Sequence, residues 1–150
     1  MFLKNYQIKV VSELKRFLHA ARETRDAIET ARKSLPKNLC HTLNWVQSTF
    51  DTLHKPYNDN SVNGFGNYYP RICIKVPTGG GKTLLAVEVI REYKNLFHQK
   101  RTGLVVWIVP SETIYSQTVQ KLRDKSNYLR QLLDQCSGGN TIILEKGQRL

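Results

Sequence analysis

"KVPTGGGKT", residues 75 to 83, decides how this chain is read. Three consecutive glycines give up side-chain packing and backbone entropy, which is tolerated where something must lie against the main chain. Between a buried apolar run and a helix, such a loop aims successive N–H groups at one anion, and the helix N-terminus adds its partial positive charge. Gly79, Gly80 and Gly81 have no side chains to block that approach. Lys82 supplies a point charge for β- and γ-phosphates, and the Thr83 hydroxyl can ligate magnesium. The expected ligand is a nucleoside triphosphate with Mg2+. The spacing departs from G-x-x-x-x-G-K-[ST] in one place, since Val76 takes the position of the first glycine.

The surroundings suit the same reading. "RICIKV" (71–76) precedes the loop and the helical pattern "LLAVEVIREY" follows it. Further on come "LVVWIV" at 104–109, a helical pattern near 112–133, the turn "CSGGN" at 136–140 and "TIILE" at 141–145. Short apolar runs alternating with helices predict an α/β fold, a parallel sheet with crossover helices. On that expectation Trp107 belongs to the core, and Cys73 is inert packing inside the first strand.

Before residue 71 the character is different. Tyr6, Val10, Leu14 and Leu18 recur every fourth residue, the mark of an amphipathic helix, and a second helix is expected to end at Leu35 before Pro36. Leu39, Leu43, Val46, Phe50 and Leu53 draw the stripe of a third, stopping before Pro56. Residues 55–70, rich in Asn and Gly, read as a loop. The expected division is a helical region over 1–54, that loop, and a nucleotide-binding part over 71–150.

The bulk numbers bound the rest. With 150 residues, 40% hydrophobic and 23% charged, one globular domain with a sizeable core is expected. The formal charge of +11, spread without a like-charge run, favours a folded basic surface and polyanionic partners such as nucleic acid. Cys40, Cys73 and Cys136 form no Cys-x-x-Cys spacing, and the four histidines form no His-x-x-x-His pair, so neither a disulfide framework nor a zinc site is indicated. No apolar run is long enough for a membrane span or signal peptide, and a cytoplasmic protein is expected. No Gly-x-Ser-x-Gly elbow is present, which argues against a serine hydrolase.

Three stretches also carry a resemblance. "PTGGGKT", with Thr78 before the glycines, is similar to the Walker A loop of superfamily 2 helicases and translocases. "VVWIVPSETIYSQT" (105–118) resembles motif Ia of the Res (restriction and helicase) subunit of type III restriction enzymes, and "LKNYQIKVVSEL" (3–14) resembles the segment of that group in which an aromatic and a glutamine precede the first helix. The resemblance implies a partial RecA-like P-loop NTPase domain that binds ATP with Mg2+ in a DNA-dependent ATPase. It places Gln7 at the adenine edge, with Tyr6 packing nearby. It places Pro110, Ser111, Thr113 and Gln117 near the DNA backbone, in contacts indifferent to base sequence. It also implies a methyltransferase-type modification subunit as a partner.

The acids such a motor uses to polarise water are missing from this stretch. Glu145 is the one acid at the end of an apolar run, and Lys146 follows it directly. By resemblance the paired acids come later, beyond Leu150; the γ-phosphate-sensing arginines belong to a second RecA-like half absent from these residues, and the nuclease domain has no counterpart in them. The chain therefore reads either as a truncated piece of a larger enzyme or as a short protein that keeps the nucleotide-binding front half, in both cases with negligible hydrolysis of its own. Two other classes compete with this reading. One is a nucleic-acid-binding module that no longer depends on nucleotide, and the other is a P-loop enzyme of another kind, such as a small-molecule kinase.

Overall fold

A computed structural model describes residues 3–36, 43–57, 62–100, 102–145 and 147–148. By its contacts the chain falls into two units, Ser12–Lys75 and Met1–Val11 with Val76–Leu150.

The first of these units is built on helix α1 (Asn5–Ser34), whose opening turns belong to the other unit. Where two helices are expected there is one, since no glycine or proline interrupts residues 5–34 and nothing forces a break. Within this unit its buried side chains are Leu14, Phe17, Leu18, Ala20 and Ala21. Helix α2 (Trp45–Thr52) begins at Asn44, whose side chain accepts from the N–H groups of Val46 and Gln47. It meets α1 through an edge-to-face pair, Phe17 with Phe50 at 5.4 Å, and through a 2.6 Å hydrogen bond between the Thr24 and Thr49 hydroxyls. The expected third helix is thus shorter among the described residues; Leu39 and Cys40 lie outside them. In the 55–70 stretch an isolated antiparallel bridge joins Val62 and Tyr68, and Phe65 stands exposed between them.

The other unit packs helices α3 (Lys82–Glu92), α4 (Glu112–Arg123) and α5 (Tyr128–Ser137) around Leu84, Val87, Leu122, Leu129, Leu132 and Leu133. Helix α3 continues as a π-helical stretch, Tyr93–His98, which ends at Gln99 in the left-handed region (φ 53°). The single helix expected near 112–133 is two. Asp124 breaks it by accepting from both N–H and Oγ of Ser126, and Asn127 then caps α5. Those Ser126 bonds hold the Asp124 carboxyl below its ordinary value. Gly138 and Gly139, both at positive φ, end α5.

The expected parallel sheet of a RecA-like α/β domain is not formed. Among the described residues there is no strand, and the segments 71–76, 104–109 and 141–145 are neither helical nor joined by a ladder. Apolar composition and a two-residue period suit a strand, but a sheet exists only where backbone groups of neighbouring segments pair, and these do not. The result is exposed aliphatic surface: Leu104, Val106 and Ile108 are 89%, 75% and 87% accessible. One face of 104–109 and of 141–145 is still partly covered, since Trp107 and Ile143 pack against the helical core. Cys73 is exposed, so its expected role as buried packing is also corrected.

Candidate nucleotide site

The glycine loop and the start of α1 belong to the same unit. Within the loop each glycine meets a specific demand. Gly79 and Gly81 adopt φ of +73°, a conformation that costs an L-residue about 1–2 kcal/mol. Gly80 is buried because the chain folds tightly around it, its N–H donating to Pro77 O at 3.0 Å. A Cβ there would meet Val76 Cγ1 at 2.6 Å.

Gly81 is also the N-cap of α3. With no side chain at that position to accept them, the first-turn N–H groups of the helix are left to another acceptor, which is the chemistry of an anion site. Lys82 is exposed and Thr83 half-buried at the opening of the helix. The Lys82 ammonium donates to Pro77 O at 3.0 Å, so the side chain lies over the loop. Thr78 is exposed. A cradle that a Cβ would fill, an uncapped helix start and a loop-facing ammonium fit a phosphate chain. The Thr83 hydroxyl is the group here suited to magnesium.

Gln7 is brought to this loop. It is 4% exposed, and its Nε2 donates to Gly80 O at 3.0 Å while its Oε1 accepts from Lys4 N at 2.8 Å. One N–H and one lone pair of the amide remain for another partner. The resemblance implies only a packing role for Tyr6, whereas its hydroxyl donates to the same Gly80 carbonyl at 2.7 Å. The only local signal was an aromatic beside a glutamine at a helix start, and pairing with a residue 74 positions away leaves no trace in spacing.

Pro110, Ser111, Thr113 and Gln117 form a separate group at the head of α4, all exposed. Ser111 is the N-cap, its Oγ accepting from Ile114 N at 3.4 Å, which leaves the hydroxyl proton free to donate outward. No hydrogen bond joins this group to the glycine loop among the described residues. Arg123, from the same helix, is tied to Glu145, which also accepts from the Tyr115 hydroxyl. That bond is the main reason the Tyr115 phenol lies above its ordinary value. Glu145 is therefore engaged with α4. No cluster of His, Cys, Asp or Glu that could hold a metal occurs among the described residues, and no helix is long and apolar enough to cross a membrane.

The family described as type III restriction enzyme, res subunit, matches residues 1–146, nearly the whole chain. No curated protein and no solved structure matches.

Proposed function

From a chain that belongs to the type III restriction enzyme Res-subunit family, we propose ATP binding on the glycine loop as part of a helicase-like, DNA-dependent motor. The observation that carries the reading is the conformation of residues 79–83, with two left-handed glycines, a crowded third and an uncapped helix start. Gly79, Gly80 and Gly81 cradle the phosphates, Thr78 borders them, Lys82 neutralises β- and γ-oxygens, and Thr83 orients magnesium. A bound magnesium, held on the protein side by Thr83, would offset phosphate charge. Gln7 turns its remaining amide capacity towards adenine.

Pro110, Ser111, Thr113 and Gln117 present a capped helix start to DNA phosphates, which fix position without reading sequence. The net charge of +11 supports a polyanionic partner. A modification subunit supplying sequence recognition, and a cytoplasmic location, follow from the family reading and belong to the same proposal.

Titration of the chain with ATP and magnesium, wild type beside Lys82→Ala, tests the nucleotide site. Saturable binding in the wild type and its loss in the variant is the expected result. Equal binding by both proteins would remove the loop from the account. The charge also favours a second reading, a DNA-binding module indifferent to nucleotide. In that case salt-sensitive DNA binding would persist unchanged with ATP present and in Lys82→Ala.

A further inference from the structure

One main-chain carbonyl in the loop receives two donors from the first turn of α1: the Tyr6 hydroxyl at 2.7 Å and Gln7 Nε2 at 3.0 Å, both to Gly80 O. Taking the loop as the phosphate site, we propose that Tyr6 and Gln7 form a latch that orients the Gly80–Gly81 peptide for phosphate binding, with Tyr6 a positioning residue whose effect is independent of the base.

The peptide bond is planar and trans here, as everywhere among the described residues, so the Gly80 C=O and the Gly81 N–H point in opposite directions. A carbonyl held on α1 therefore turns the Gly81 N–H away from α1. Glycines on both sides of this bond leave the peptide unit little steric resistance to turning over. Turned over, it would present a carbonyl dipole where the anion needs a donor, so the favoured orientation has to come from outside the loop.

The two donors can supply it because they are themselves fixed. Both lone pairs of the Gly80 oxygen are used, so the carbonyl has no capacity left over for water. Gln7 is buried and held at its other end by Lys4 N at 2.8 Å. Its Nε2 also sits 2.7 Å from where a Cβ on Gly81 would be, so the amide abuts the residue whose N–H it helps to aim. Tyr6 is half-buried, and removing its hydroxyl alone takes away one of the two bonds without emptying the space its ring fills.

Because the latch acts on the peptide and not on a base, its loss must weaken every ligand that uses the cradle. The experiment measures binding of ATP, GTP and inorganic triphosphate, each with magnesium, to wild type, Tyr6→Phe and Lys82→Ala by calorimetry. In parallel, the Gly81 amide is followed in nitrogen–proton spectra during addition of inorganic triphosphate. The expected result is that Tyr6→Phe weakens all three ligands by a similar factor, about three- to tenfold for one hydrogen bond, and that the triphosphate-induced shift of the Gly81 amide shrinks. Unchanged affinities in Tyr6→Phe, or a loss confined to ATP, would overturn the latch while leaving the loop as a phosphate site. Inorganic triphosphate binding that is absent, or indifferent to Lys82→Ala, would overturn the phosphate-site reading and the latch with it.

Discussion

Val76 stands directly over Gly80: a Cβ on residue 80 would lie 2.6 Å from Val76 Cγ1 and 2.9 Å from the Pro77 carbonyl oxygen. Val76 occupies the place where the common phosphate-loop pattern has its first glycine, and the third dimension shows what accompanies that change. A side chain at 76 closes over the loop, and residue 80 then has no room for one. Gly80→Ala is expected to cost about 1–3 kcal/mol through overpacking and to abolish phosphate binding. In the double variant Val76→Gly, Gly80→Ala, part of that stability returns, because the 2.6 Å contact is removed while the one to Pro77 O remains. Urea unfolding of the single and double variants measures the coupling; strictly additive losses would contradict the packing argument.

Arg130 is the second point at which one side chain holds several segments. It is 7% exposed, with Nε on both Asp134 carboxylate oxygens at 2.9 and 3.0 Å, Nη1 on Leu122 O at 3.1 Å and Nη2 on Thr141 O at 2.7 Å. Arg130→Met would leave the last turn of α4 and the start of the 141–145 segment without this donor. A loss of about 1.5–3 kcal/mol is expected from removing hydrogen bonds made by a charged, largely buried group, read as a lower urea midpoint.

The same pair has a pH signature. Burial pushes the Asp134 carboxyl up, but its bonds to Arg130 and Thr141 outweigh this, and it lies below its ordinary value. The folded protein therefore holds this proton less tightly than the unfolded chain does. Stability from the pair is present above about pH 4, the unfolded carboxyl value, and is lost as the pH falls through the lower native value. The gap in urea midpoint between wild type and Asp134→Asn should be constant from pH 7 to pH 5 and close on further acidification. A gap that is unchanged at low pH would count against the ion pair as its source.

The helices and the glycine loop were legible because their causes are local. Leu84 and Val87 recur at helical spacing, Ser111 after Pro110 announces a helix start, and the need for glycine at 79–81 follows from what a phosphate requires of the backbone; the caps Asn44 and Asn127 emerge only in the structure. The sheet was misjudged because pairing is not local. "LVVWIV" keeps the strand-like alternation, with Trp107 packed inward between exposed Val106 and Ile108, yet composition cannot say whether a neighbour lies within hydrogen-bonding distance. The break at Asp124 was missed for a smaller reason: an aspartate two residues before a serine reads as an ordinary helix surface until its carboxylate is seen to take the Ser126 N–H. The Tyr6 bond to Gly80 joins positions too far apart in sequence for any spacing rule to propose.

Cysteine reactivity gives a test of the corrected environment around the 71–76 segment. Cys73 is exposed, whereas Cys136 is half-buried on α5, its thiol donating to Leu133 O at 3.1 Å. Burial pushes the Cys136 thiol above its ordinary value, so its reactive thiolate is scarcer at a given pH as well as harder to reach. Brief alkylation with iodoacetamide at pH 8, followed by peptide mass mapping, should label Cys73 well before Cys136. In urea the difference should vanish, because both thiols then share one environment. Were Cys73 instead protected in the native protein, the 71–76 segment would have to be covered in solution, and its exposed side chains, Ile72 among them, would need a contact the described residues do not supply.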